Sequence, residues 1–204
     1  NCTTDVLIEH TGSTGKVQGT DNFLKTDIPL DAPLYEVGQD PRRITVGKKG
    51  ADFTSIASAV DWISGSGANN RFIIDVGPGQ FTEPLIDLST KPYVSIVGSN
   101  IQTTEIFPSA SNHDIIKIGI NNEVSFLTIA NAGTGQSGIL CDDVGDFSQI
   151  HKVSFYDCDT CVKVCSSTQD TYFYGEYLDF NGVFTYGTYV SASNGFVAAA
   201  SMEN

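Results

Sequence analysis

Positive charge is scarce in this chain. Lys and Arg total 11 against 24 Asp and Glu, a formal net charge of −13. A surface of that sign repels phosphate backbones, so nucleic acid is not an expected partner; it suits a secreted or virion-surface protein. Long apolar runs are missing too. No stretch reaches the ~18 consecutive apolar residues of a membrane-spanning helix, and membrane insertion is not expected. The sequence starts at Asn1 with no basic-then-apolar leader, and we expect it to be a piece of a longer chain. Charged residues make up only 17%, so Ser, Thr, Asn, Gln and Gly must cover much of the surface, a balance that suits β structure over helix. The five cysteines are odd in number and clustered, unlike a disulfide framework. Reduced thiols are expected.

What is present is a period. Short β-rich runs begin at Phe72 (FIIDVG), Tyr93 (YVSIVG), Ile115 (IIKIGI), Ile139 (ILCDDV), Val162 (VKVCSS) and Thr188 (TYVSAS), at steps of 21, 22, 24, 23 and 26 residues. Each alternates apolar and polar positions and runs into Gly, Asn, Asp or Ser. A second set recurs inside the units: TEIFPS, SFLTIANA, HKVSFYDC and YLDFNGVF. Two or more strands within about twenty-three residues fit one coil of a parallel β-helix and are too few for a propeller blade. A single coil cannot bury its inward side chains, whereas stacked coils bury them against each other in ladders. Val97, Ile118 and Val164 are candidate rungs of one ladder.

Stacked coils leave open strand edges. Ahead of the first coil, Phe53, Ile56, Val60 and Ile63 form one apolar helical face. The spacing predicts a helix over 53–64, started by Asp52 or Thr54, ended by Gly65, and placed as a lid. The stretches ITVGKKGADFTSIASAVDWI, FIIDVGPGQFTEP and KPYVSIVGSN resemble the opening of pectinesterases and other pectin-lyase-like proteins. Gly79, Phe81 and Glu83 match the middle element of that pattern, and Val97 and Gly98 the last. The resemblance is good over 44–100 and only rhythmic afterwards. It implies an all-β, right-handed parallel β-helix with an N-terminal capping α-helix, over 44–204 with coils from about 72. Residues 1–43 lack the period and read as an extended arm.

The resemblance also suggests an esterase site: Gln136 as oxyanion holder, with Asp159 and Asp179 as acid and nucleophile. Their spacing of about one coil follows from any β-helix, and Cys158 stands where the family has a second Gln. The family's Leu-Gly-Arg-Pro-Trp segment is missing, so no catalytic residue is favoured. The stretch SFYDCDTCVKVC raises two further possibilities. Cys158, Cys161 and Cys165, with His151, have the residue types of a zinc site. Small thiols filling narrow interior positions are the favoured alternative, with Cys158–Cys161 or Cys141–Cys165 disulfides behind. Asp157 and Asp159 are expected to cap backbone amides in a turn. Tyr172, Tyr174, Tyr177 and Tyr186 are candidate ligand-binding rings, set against core and subunit contact. Arg42, Arg43, Lys48 and Lys49 form a small basic patch, expected to be solvated.

The expected function is that of a non-catalytic viral member of the family: a bacteriophage-type tail or surface-fibre segment for host attachment through a glycan or receptor. Such a segment is expected at the virion surface, as a homotrimer beside other virion proteins and without cofactor. A carbohydrate-active enzyme (esterase or depolymerase) and a secreted adhesin are the alternatives.

Overall fold

A computed structural model of the protein describes residues 41–142, 147–166, 171–182, 185–192 and 198–203, without the side chains of 147, 172, 192 and 198–203. The chain divides into two units, 1–39 and 40–204. The first lies outside the described residues, and so does most of the arm expected there.

The second unit runs β1 (Arg42–Val46), α1 (Ile56–Trp62), β2 (Phe72–Val76), β3 (Gly79–Glu83), β4 (Ile86–Asp87), β5 (Val94–Gly98), β6 (Thr104–Pro108), β7 (Ile116–Ile118), β8 (Glu123–Ala130), β9 (Ser137–Asp142), β10 (Phe147–Tyr156), β11 (Thr160–Ser166), β12 (Thr171–Asn181), β13 (Tyr186–Ala192) and β14 (Ala198–Glu203). Every pairing between these strands is parallel. One sheet stacks β1-β2-β5-β8-β10-β12-β14, with β3 and β6 beside it, and a second stacks β4-β7-β9-β11-β13. The unit is a parallel β-solenoid. Among the described residues its stacking begins at Arg42, which pairs with Phe72, thirty residues before the first expected coil.

The core follows from register. Ile44, Ile74, Ile96, Val124 and Ile150 align across five strands of the first sheet, and all are buried. Ile86, Ile116, Ile139 and Val162 do the same in the second. Burying each such side chain stabilises by about 1.5–3 kcal/mol. The anticipated ladder of Val97, Ile118 and Val164 is only partly formed. Ile118 and Val164 align through Cys141 in the second sheet, but Val97 pairs with Asp75 and Ser125 in the first. The coil between is longer, because turns fill 99–103 and 109–114, and a constant period therefore slips from one sheet to the other.

Long strands turn corners at single residues. Phe126, Lys152 and Tyr177 occupy equivalent positions in β8, β10 and β12 and all have positive φ (57°, 54° and 51°). A left-handed non-glycine residue costs of order 1–3 kcal/mol, which the flanking ladders must offset. Gly98 precedes this column, and a Cβ there would lie 2.3 Å from the Phe126 carbonyl oxygen.

The helix is shorter than its apolar face suggested. Ser55 is the N-cap, its hydroxyl accepting from the Ser58 amide. Asp52 instead accepts from the amide and hydroxyl of Thr45, and Phe53 forms a bridge with Val46. Ile56, Val60 and Ile63 are buried, and α1 packs against β1, β2, β3 and β4. Both ends are tied to the solenoid. The Glu83 carboxylate accepts from the Ile56 amide (2.8 Å), the Ala57 amide (3.2 Å) and the Ser55 hydroxyl (2.7 Å). At the other end Lys91 donates to the Ile63 carbonyl, a cation placed at a helix C-terminus.

Candidate functional site

Side chains alternate across a strand, so each inward ladder of the first sheet has outward columns beside it. One column is Ile73, Ser95, Glu123, Gln149 and Tyr174; the next is Asp75, Val97, Ser125, His151 and Glu176. Glu123 gathers this face. It accepts from His151 Nε2 (2.7 Å), Ser125 Oγ (3.1 Å) and Ser95 Oγ (3.3 Å). His151 also meets the Phe126 ring edge-on at 5.6 Å, and Lys152 Nζ lies 4.9 Å from that ring. The His151 ring is thus fixed from two sides, with Glu176 its register neighbour in the next coil.

Beside this cluster opens a cavity of about 400 Å³, lined by Arg71, Tyr93, Ser95, Asn121, Glu123 and Gln149 among others. The Arg71 guanidinium lies over the Tyr93 ring at 5.3 Å. Its floor is held from below: buried Asn122 accepts from the Gly119 amide and donates to the carbonyls of Lys91 and Val94. A ring, a guanidinium, a carboxylate and two amide side chains around one concavity are equipped to hydrogen-bond and stack on a polar ligand with flat apolar faces.

The esterase candidates Gln136, Asp159 and Asp179 lie elsewhere. Asp159 clamps the turns of three successive coils. Its carboxylate accepts from the Gly135 amide (2.7 Å) and the Thr185 hydroxyl (2.5 Å), and its backbone bonds Ala132, Thr185 and Tyr186. The Thr185 hydroxyl and the Gly135 amide hold its pKa below the usual carboxylate value. Gln136 lies in the preceding turn, where its carbonyl accepts from Thr160. Asp179 aligns with Ser154 on the outer side of β12 and accepts from Ser154 and Asn181. That position is five residues short of Asp159, across the left-handed corner at Asp157.

Cys141, Cys158 and Cys161 are buried and free; Cys165 is half-buried and free. Cys158 and Cys161 share a hydrogen bond, which lowers the pKa of the first and, with burial, raises that of the second. Burial, then the nearby Cys165, pushes Cys141 far up. Cys165 receives the Ser191 hydroxyl at 3.8 Å, and His151 is engaged on the outer face. No group of three or more His, Cys, Asp or Glu among the described residues can hold a metal ion.

Tyr177 and Tyr186 are half-exposed or more, and Tyr186 packs against Tyr189 at 5.3 Å on β13. Tyr174 stands in the outward column with Glu123 and Gln149. Tyr172 aligns with Phe147, and its side chain lies outside the described residues. Glu123 and Gln149 escaped notice in the sequence, and His151 was read only as a partner for the cysteines, because outward polar positions look like ordinary solvated alternation. Glu123 and His151 are also 28 residues apart, farther than the assumed period.

The class this defines is a parallel β-solenoid with a polar, partly aromatic cavity on the outer face of its longer stack. No family model matches the chain. Among curated proteins it is similar to cyclic GMP-AMP phosphodiesterase SMPDL3A of Bos taurus, 30% identical over 44% of this chain and 24% of that protein. The Homo sapiens protein of the same name is 29% identical over the same shares. The chain thus spans about a quarter of the length of the curated relatives it matches, and the activity in their name is theirs. Among the described residues no helix is long and apolar enough to cross a membrane.

Proposed function

We propose that this protein is a segment of a viral, bacteriophage-type tail or surface fibre that attaches to its host through carbohydrate. The observation that carries the reading is the outer-face cavity of about 400 Å³, where Tyr93, Arg71, Glu123 and Gln149 converge. Sugars offer hydroxyls to such groups and a C–H face to the ring. In this reading the solenoid is right-handed, and α1, anchored by Glu83 and Lys91, is its N-terminal lid. It acts at the virion surface, beside other virion proteins. A homotrimer would cover Tyr186, Tyr189 and Val190, exposed on β13, the last strand of the second stack. A glycan array tests the attachment reading. Binding to a defined glycan class, lost in Tyr93→Ala and Glu123→Ala with folding intact, is the expected result. No binding to any glycan, or binding indifferent to both substitutions, overturns it.

One observation favours a second reading, hydrolysis of a polysaccharide. Glu123 and Glu176 share the outer face with His151 between them, and two carboxyls on one flank are the means of glycoside hydrolysis. Release of reducing ends from a polysaccharide panel, abolished by Glu123→Gln, would move the assignment to the enzyme; unchanged polymers would remove it.

A further inference from the structure

A second cavity, of about 500 Å³, opens where β1, β2 and β5 end, and its wall includes Gly47, Lys48, Lys49, Gly50, Gly77 and Ser99. Its charge runs against the rest of the molecule. In a chain of net charge −13, four of the eleven basic side chains fall at 42, 43, 48 and 49. Asp75 lines the same cavity, but both its carboxylate oxygens are taken by Arg43, at 2.7 and 2.9 Å. Asp52 is turned to Thr45. Lys48 and Lys49 form no ion pair among the described residues.

The two ammonium groups are not alike. Lys48 Nζ sits 4.5 Å from the centroid of the Phe81 ring, and its stem fills the space Gly79 leaves, 3.4 Å from where a Cβ would be. It is a placed charge. Lys49 is exposed. Both belong to the turn 47–51, which lines the cavity, with Gly50 at φ 73°. The Gly47 amide bonds Phe53 and the Asp52 amide bonds Thr45. Among the described residues the amides of Lys48, Lys49, Gly50 and Ala51 have no acceptor. Consecutive unused amides in a turn with a left-handed residue make an anion-binding concavity, and Lys supplies point charge to the same anion.

We propose that the turn 47–51 and this cavity form a site for a tetrahedral oxyanion, phosphate or sulfate, either free or as an ester on a larger ligand. The site is separate from the Tyr93 and Glu123 cavity and stands or falls independently of the attachment reading. Titration of ¹⁵N-labelled protein with sodium sulfate, sodium phosphate and, at matched ionic strength, sodium chloride tests it. Saturable amide shifts at 48–51 with sulfate or phosphate and not with chloride are expected. Lys49→Gln, at an exposed position and expected to leave the thermal midpoint unchanged, should weaken binding about tenfold, the scale of one charged hydrogen bond. Shifts equal to those in chloride, or insensitive to Lys49→Gln, overturn the proposal. A sulfated oligosaccharide that binds more tightly than free sulfate, with its unsulfated parent silent, assigns the anion to an ester. Equal affinity assigns it to the free ion. Failure of both to shift these amides refutes the site.

Discussion

Replacing Glu83 by Ala should separate the helix from the solenoid. Glu83 is 1% exposed, and its carboxylate is the acceptor for the Ile56 and Ala57 amides and the Ser55 hydroxyl. Two of those donors are first-turn amides, which have no partner within the helix. Each buried donor left without an acceptor costs about 1–3 kcal/mol, less where water can enter. With three donors losing their acceptor, the loss sums to about 3 kcal/mol or more. A seven-residue helix has little stability of its own, so that loss falls first on α1. The molecule carries the probe it needs: its one Trp is Trp62, at the end of α1, with its ring 6.1 Å from that of Phe53. Urea unfolding followed by Trp62 fluorescence should shift to lower urea in Glu83→Ala, ahead of the far-UV circular dichroism of the strands. Glu83→Gln, which keeps one acceptor oxygen, should recover part of the loss. A cost below about 1 kcal/mol with coincident transitions, the size of an ordinary surface change, would refute the anchoring role.

Three other expectations bear on the stacking and its corners. Gly98→Ala forces a Cβ to 2.3 Å from the Phe126 carbonyl oxygen and 2.8 Å from Leu127 Cβ, and should cost about 2 kcal/mol or more, seen as a fall in Tm. Asp159 has its pKa lowered by Thr185 and Gly135, so the unfolded chain binds its proton first as pH falls. Its contribution is complete above the ordinary Asp value of 3.8 and is lost as pH drops from there through the lowered value. Asp159→Asn should flatten that acid limb of stability measured by urea titration at stepped pH; an unchanged limb would contradict the clamp. Among Cys141, Cys158, Cys161 and Cys165, only Cys165 is not fully buried, so a thiol reagent on native protein should show a phase that Cys165→Ser removes, with the other three reacting on denaturation.

Much of the fold was legible because inward ladders impose a rhythm. The runs starting at Phe72 and Tyr93 became β2 and β5, and those from Ile115 onward became β7, β9, β11 and β13. They read as one series and proved to be two, since no local signal reports that the coil between β5 and β8 has lengthened. The helix was visible in Ile56, Val60 and Ile63, but its start was not: Glu83, 27 residues away from Ile56, decides which amides are capped. The cysteines were partly legible. Cys141, Cys158 and Cys161 are buried among apolar side chains as small thiols can be, whereas Cys165 turns outward by strand alternation after Val164. The candidate site was the least legible part. Glu123, Gln149 and His151 acquire meaning only when three coils are stacked in register.

Parallel stacking puts side chains about one coil apart in contact, and methyl-to-methyl nuclear Overhauser effects measure that contact directly. Cross-peaks linking Ile74 to Ile96, Ile96 to Val124 and Val124 to Ile150, in that order and without skipping, are the expected result. Contacts that instead pair each strand with its antiparallel neighbour in sequence, or that leave Ile96 and Val124 apart, would contradict the stacked solenoid and with it the outer-face site.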